Sequence, residues 1–122
     1  MNDRLSLAQI VALVAYAGAM AGGQLLFKMA ALRAVHEGSF IERAVSVLLN
    51  GYFLVALVLY AALAGLWVWI LTFTPLSRAY PFVALAFALT PALGGLMFAE
   101  PISVRLVIGI GLILCGLLFV AG

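Results

Sequence analysis

The sequence predicts an all-α membrane protein built as a bundle of four transmembrane helices, and two observations carry this prediction. Hydrophobic residues make up 68% of the 122 residues and charged residues only 8%, whereas a soluble domain has about 25% charged residues. Four apolar runs, each close to the roughly 20 residues that cross about 30 Å of hydrocarbon, occupy nearly the whole chain. Residues 1–122 are therefore expected to form one multi-pass transmembrane domain.

Helix-start signals and apolar runs delimit four predicted spans, over residues 6–32, 45–72, 76–98 and 103–120. Ser6 is the expected N-cap of the first span, because a serine side chain accepts a hydrogen bond from a free amide of the first turn. Asn50-Gly51 blurs the start of the second span. Val45 and Tyr52 are therefore both candidate first residues.

Polar residues and prolines mark the connections and the irregular places. Polar and charged residues cluster at 34–43, which predicts a loop. Pro75 ends the second span, and Pro81 and Pro91 lie inside the third. Because a proline removes a backbone N–H donor and crowds the preceding turn, the third span is expected to depart from a straight rod near Pro81 or Pro91.

The lysine and arginine residues give a small bias in membrane orientation. Four cations lie on the side of the first loop and two on the other, namely Lys28, Arg33, Arg43 and Arg105 against Arg4 and Arg78. Cytoplasmic loops carry an excess of Lys and Arg, so the first loop is expected in the cytoplasm. A bias of this size would also permit insertion in both orientations.

The first candidate site residues are Gln24 and Lys28, which are four residues apart and therefore share one face of the first span. A cation within a membrane helix is costly unless it faces a cavity, pairs with an anion or extends to the interface. Lys28 is thus either an interfacial lysine or a contact for a phosphate or carboxylate inside the bundle.

Three more candidates lie near the ends of the third span. Arg78 and Tyr80 open it, where free backbone donors and the helix dipole favour an anion and a guanidinium adds a bidentate partner for phosphate. The alternative is that both are interfacial anchors. Glu100 follows this span, where it either closes the turn with Arg105 or carries a proton or a substrate contact.

Gly109 and Gly116 are seven residues apart in the fourth span and form a smooth stripe along one face. Small residues let two helix backbones approach closely in lipid. The stripe predicts a contact with a second copy or a similar subunit, and packing against a helix of the same chain is the alternative.

No pattern predicts an enzyme, a cofactor or a metal site. His36, the only histidine, has no serine or cysteine partner in a motif, and Cys115 is the only cysteine. The six Lys and Arg residues are scattered singly. The chain therefore has no patch suited to nucleic acid.

Four segments together resemble a known transporter family: 23–28 (Gly-Gln-Leu-Leu-Phe-Lys), 79–81 (Ala-Tyr-Pro), 100–103 (Glu-Pro-Ile-Ser) and the glycine-containing run 109–117. They resemble the small four-helix members of the drug/metabolite transporter superfamily. The nearest resemblance is to the subunits of the flippase for 4-amino-4-deoxy-L-arabinose-phosphoundecaprenol, with EamA-type transporters and small multidrug resistance proteins as wider relatives.

The resemblance implies a small multidrug resistance-like fold and a subunit that moves a polyprenyl-phosphate sugar across the bacterial inner membrane. Lys28, Arg78 and Tyr80 would contact the phosphate and Gln24 the sugar hydroxyls, in a homodimer or a heterodimer with a similar subunit. Small multidrug resistance proteins carry a membrane-embedded glutamate at the position of Met20, and without it proton exchange for a cationic drug loses its central group.

Two other functions stay open at the level of sequence. One is a small multidrug or metabolite exporter, which would bind a soluble or amphipathic small molecule without a polyprenyl tail. The other is a non-transporting accessory subunit of a membrane glycosyltransferase.

Overall fold

A computed structural model describes residues 5–121, and its regular elements are all helical. They are α1 (Leu7–Arg33), α2 (Phe40–Leu48), α3 (Gly51–Leu71), α4 (Leu76–Ala79), a 3₁₀ turn (Tyr80–Phe82), α5 (Val83–Phe98) and α6 (Val104–Ala121). Arg4, used above for orientation, lies outside the described residues.

Three helical units in the described chain are long and apolar enough to cross a membrane: Leu7–Arg33, Gly51–Leu71 and Leu76–Phe98. The last of these contains α4, the 3₁₀ turn and α5. The fourth apolar helix, α6, is shorter. The all-helical fold is therefore confirmed and is compatible with a membrane helical bundle, and a fourth membrane crossing remains a prediction.

The start of α1 is held by the predicted cap and by one side chain that reaches another part of the bundle. The Ser6 hydroxyl accepts from the Gln9 N–H (3.2 Å), and the Gln9 carbonyl oxygen accepts from the Ser6 N–H (2.7 Å), which completes a capping box. The Gln9 amide nitrogen also donates to the Phe73 carbonyl (2.8 Å) and to the buried Thr74 hydroxyl (3.1 Å). Gln9 therefore joins the start of α1 to the loop between α3 and α4.

The substitution Gln9→Glu isolates this connection. A glutamate keeps the acceptor for the Ser6 N–H but has no donor for Phe73 or Thr74. We expect the free energy of unfolding to fall by about 1–3 kcal/mol, because two hydrogen bonds of about 1 kcal/mol each are lost and a buried acceptor is left unpaired. Unfolding of the purified protein in mixed micelles, followed by circular dichroism, measures the change. Wild-type stability in this variant would show that the connection contributes nothing.

The chain between the first two long helices differs from the predicted loop and helix start. Residues 34–39 form a loop as predicted, but residues 40–48 form the separate helix α2. The predicted loop over 34–43 is therefore too long by four residues, and the start of a span at Val45 is wrong. The Asn50 side chain accepts from the Tyr52 N–H (2.9 Å) and thereby caps a new helix at Gly51. Tyr52, the later of the two candidate first residues, lies one residue after the observed start at Gly51.

The third predicted span is interrupted near Pro81, as expected from its missing N–H donor. Residues 80–82 form a 3₁₀ turn between α4 and α5, and Pro81 lies at its centre. Pro91 lies inside α5, which continues through it as an α-helix. The irregularity at Pro81 is therefore confirmed, whereas Pro91 causes no break in the helical assignment.

Small residues make up most of the buried positions on the long helices α1, α3 and α5. The helix α1 contacts both α3 and α5, and α5 contacts α6. The buried alanines and glycines are Ala17, Ala21, Gly23 and Ala30 on α1, Ala56 on α3, and Ala86, Ala88 and Gly94 on α5. Small side chains permit the close packing that drives helix association in lipid. Larger core residues, Leu13, Ile70 and Phe82, gather at one end of the bundle.

Candidate functional site

An open groove runs between α1 and α5 and contains three of the predicted site residues. It consists of two adjoining hollows of about 320 and 310 Å³, which share Gln24, Thr90 and Pro91. The first is otherwise lined by Met20, Val83, Ala86 and Phe87, and the second by Leu25, Lys28, Gly94, Phe98 and Glu100. The groove is thus mostly apolar, with polar groups along its length and charged groups at one end.

Lys28 and Glu100 form an ion pair at the charged end of the groove. The Lys28 ammonium lies 3.3 Å from a Glu100 carboxylate oxygen, and the two side chains are 44% and 47% exposed. Glu100 therefore pairs with Lys28, and the alternative in which it closes the turn with Arg105 is wrong. Lys28 has an anionic partner within the protein, although about half of its side chain remains accessible.

The turn after α5 places Glu100 in this position. Ala99 has a left-handed backbone (φ 53°), an uncommon conformation for a residue with a Cβ, and it reverses the chain at the end of α5. Gly95 of α5 makes room for the reversed chain, because a Cβ there would overlap the Ile102 side chain, whereas a Cβ on Gly94 would be in ordinary contact with the Glu100 carboxylate at 3.5 Å. Gly95 therefore lets the side chains after the turn pack closely on the helix.

Gln24 is held in place by Tyr60 of α3. The Gln24 amide nitrogen donates to the Tyr60 hydroxyl (2.9 Å), and that hydroxyl donates to the Met20 carbonyl (2.8 Å). The Tyr60 ring stacks on Phe27 with a centroid distance of 5.2 Å and an interplanar angle of 5°. Tyr60 thus orients the one amide that borders both hollows, a role that sequence reasoning missed.

Thr90 and Pro91 add polar groups that the sequence analysis also missed. The Thr90 side chain lines both hollows. Pro91 has no N–H, so the Phe87 carbonyl one turn earlier does not receive the usual helical hydrogen bond. That carbonyl belongs to a residue that lines the first hollow. A threonine followed by proline within an apolar helix is the signal that would have indicated these groups.

Arg78 and Tyr80 lie at the other end of the bundle. The Arg78 guanidinium donates to the Val120 carbonyl at the end of α6 (2.8 Å), and the exposed Tyr80 ring packs edge-on against Trp67 (6.3 Å). About 20 residues of mostly helical chain separate Arg78 from the end of α5, which corresponds to roughly 30 Å at about 1.5 Å per residue. The structure therefore brings together Gln24, Lys28 and Glu100 but does not place Arg78 and Tyr80 beside them.

This separation corrects the expectation that Lys28 and Arg78 contact one phosphate together. Lys28 lies near the end of α1, whereas Arg78 opens the third span, which begins at the end of the bundle where α1 also begins. Two residues at opposite ends of neighbouring parallel helical units cannot hold one phosphate.

Gly109 and Gly116 lie on a part of α6 that no other helix among residues 5–121 covers. A Cβ added at either position would have no heavy atom within 4 Å beyond its own helix. The alternative, that the stripe packs against a neighbouring helix of the same chain, is therefore not observed. Its contact with a second subunit stays a prediction.

A larger hollow of about 550 Å³ lies between the end of α1 and the start of α3, near Arg33 and Tyr52. Its cation is already engaged, because the Arg33 guanidinium lies over the Tyr52 ring at 5.0 Å from the centroid. The groove between α1 and α5 has the richer set of polar and charged groups. No family model, no curated protein and no solved structure matches this chain.

Proposed function

We propose that the chain is a subunit of a bacterial inner-membrane flippase that translocates a lipid-linked, polyprenyl-phosphate sugar. In this proposal α6 is a fourth membrane crossing, since its 18 residues extend for about 27 Å. The observation that carries the proposal is the half-accessible Lys28 ammonium at one end of a mostly apolar groove between two helices of membrane-spanning length.

The groove has the chemical character that an amphipathic phosphate requires. A phosphate that leaves water loses strong hydration, and the cost is large unless the protein supplies new partners. Lys28 supplies a positive charge, while Gln24 and Thr90 supply hydrogen-bonding groups for sugar hydroxyls. The groove is open and lies between two helices of membrane-spanning length, so in this proposal a polyprenyl tail stays among the acyl chains while the head group occupies the groove.

Glu100 has a defined part in this proposal. Its carboxylate occupies the anion position at Lys28, so an incoming phosphate must displace it. The Glu100 carboxylate then neutralises the Lys28 ammonium when no substrate is bound. Arg78 and Tyr80, at the other membrane face, remain candidate contacts for the phosphate on that side.

The proposal includes a second subunit, either another copy of this chain or a similar four-helix protein. Transporters of this architecture are generally built from two repeats with the substrate between them, and one chain of this size supplies only one repeat. The uncovered Gly109 and Gly116 stripe offers a surface for close packing of a second α6.

Reconstitution tests the function directly. We expect vesicles that contain the purified protein, with its partner subunit if one is required, to translocate a fluorescent polyprenyl-phosphate sugar faster than protein-free vesicles. Binding without translocation would support the accessory-subunit alternative. The absence of both binding and translocation would overturn the proposal.

A small-molecule exporter is the second candidate, and the position of Glu100 favours it. The Glu100 carboxylate, half exposed at the end of the groove, could exchange protons with water. It could thereby replace in part the glutamate that small multidrug resistance proteins carry at the position of Met20. Proton-driven efflux of a soluble cation from vesicles, abolished by Glu100→Gln, would support this candidate over the flippase.

Glu100→Gln separates the two functions because it removes the charge but keeps the shape of the side chain. For a flippase we expect a prenyl phosphate to bind about two- to fivefold more tightly, since exposed ion pairs contribute only about 0.2–1 kcal/mol and the phosphate no longer competes with a carboxylate. Titration of the purified protein with a short-chain prenyl phosphate measures the affinity. Weaker binding in this variant would contradict the assignment of Glu100 as a competitor.

A further inference from the structure

The short helix α2 exposes a large apolar surface that the rest of the described chain leaves uncovered. None of its nine residues is buried, and Phe40 and Ile41 at its start are 85% and 72% exposed. Val45 and Leu48 are also exposed. Packing against the bundle therefore does not explain why this helix carries so many apolar residues.

The apolar residues of α2 lie on one face. At about 100° per residue, six of them fall within an arc of roughly 160°. These six are Phe40, Ile41, Ala44, Val45, Val47 and Leu48. Glu42, Arg43 and Ser46 occupy the remaining face. This is the pattern of a helix that lies between an apolar and an aqueous phase.

One polar contact joins the hydrophilic face of α2 to the segment that follows α1. The Ser46 hydroxyl accepts from the Val35 N–H (3.2 Å) and donates to the Arg43 carbonyl of its own helix (2.8 Å). The Ser39 hydroxyl caps the helix by accepting from the Glu42 N–H (3.2 Å). The bond between Val35 and Ser46 therefore restrains α2 relative to the end of α1.

The connections of α2 restrict its distance from the membrane. It is joined to α1 by residues 34–39 and to α3 by residues 49–50, and both long helices are of membrane-spanning length. The connecting segment after α1 contains Gly38, whose φ of 103° permits a sharp turn that other residues rarely adopt. A helix so closely tied to two membrane-spanning helices must lie near the membrane surface.

We propose that α2 is an interfacial helix that binds phospholipid, with its apolar face inserted at the boundary between head groups and acyl chains. An open hollow of about 500 Å³ between α2 and the end of α1 provides space for an acyl chain: its lining is mostly apolar, with Phe40, Ala44 and Val47 on α2, and His36 and Arg43 also border it. The charges near the helix balance, Arg33 and Arg43 against Glu37 and Glu42, so binding requires no anionic lipid. The proposal is independent of the flippase function.

Spin labels on the full chain test the proposal in phosphatidylcholine vesicles. Cys115→Ser provides a background without native cysteine, and single cysteines at Ile41, Val45 and Glu42 carry the label. We expect Ile41 and Val45 to favour collision with lipid-soluble oxygen over a water-soluble nickel chelate by at least about fivefold relative to Glu42. Val58→Cys, on the exposed middle of α3, gives the reference for a lipid-facing site.

Other results would overturn the proposal in distinguishable ways. Equal nickel accessibility at Ile41, Val45 and Glu42 would place α2 in water. Low accessibility to both reagents at Ile41 and Val45 would show that a protein surface covers the apolar face. A pattern that arises only after an anionic phospholipid is added would contradict the expected insensitivity to lipid charge.

Discussion

Lys28→Ala is expected to weaken the binding of a short-chain prenyl phosphate by about ten- to a hundredfold. Lys28 is the cation of the groove, and a hydrogen bond to a charged group contributes about 1.5–3 kcal/mol, where 1.4 kcal/mol corresponds to tenfold in affinity. Isothermal titration with the protein in nanodiscs measures the affinity. Thermal unfolding of the same samples should change little, because the ion pair that is lost is half exposed.

Two matched variants control for charge. Lys28→Arg keeps a cation in the groove and should retain most of the affinity. Arg105→Ala removes one positive charge at the start of α6, on the same side of the membrane as Lys28. Because Arg105 does not line the groove, this variant should bind the prenyl phosphate as the wild type does. Equal losses in Lys28→Ala and Arg105→Ala would show that only the overall charge matters and would remove Lys28 from the site.

Gly23→Ala is expected to lower the free energy of unfolding by about 2–4 kcal/mol. A Cβ at Gly23 would lie 2.6–2.8 Å from the end of the Tyr60 ring, which is closer than atoms can approach. Tyr60 cannot move aside freely, because its hydroxyl is bonded to Gln24 and to the Met20 carbonyl and its ring stacks on Phe27. Overpacking of a core costs about 1–3 kcal/mol, and loss of a hydrogen bond adds about 1 kcal/mol.

Gly22→Ala is the matched control on the same helix, since a Cβ there would meet no atom within 4 Å. It should be neutral or slightly stabilising, because alanine favours the helix over glycine by about 1 kcal/mol. Unfolding of both variants in mixed micelles compares them directly. If the two substitutions have the same effect, the contact between Gly23 and Tyr60 does not restrain the helices.

Local patterns were enough to predict much of the fold. Hydropathy indicated the apolar helices, Ser6 indicated the start of α1, and Pro81 indicated the irregularity in the third span. These features depend on neighbours within about one helical turn, so they can be read from the chain alone. The short helix α2 was missed because its apolar face resembles the beginning of a long span, and Asn50-Gly51 alone did not decide between starts at Val45 and Tyr52.

The candidate site was predictable only in part. The spacing of Gln24 and Lys28 placed them on one face of a helix, and the structure places both in the groove. The partner of Lys28 was not predictable, because it depends on the left-handed Ala99 and on Gly95, against which the reversed chain packs closely. Arg78 was grouped with Lys28 as a contact for the phosphate, although the two lie at opposite ends of the bundle.

Residue composition and periodicity therefore define the membrane character of this protein, the approximate extents of its long helices and the polar face of α1. The packing of α1 against α3 and α5 defines the groove, the pairing of Lys28 with Glu100 and the restraint of Gln24 by Tyr60. The physical reason is the range of the interactions. Hydropathy and capping act between residues close in sequence, whereas an ion pair between residues 28 and 100 forms only when helix neighbours and a turn bring the two groups together.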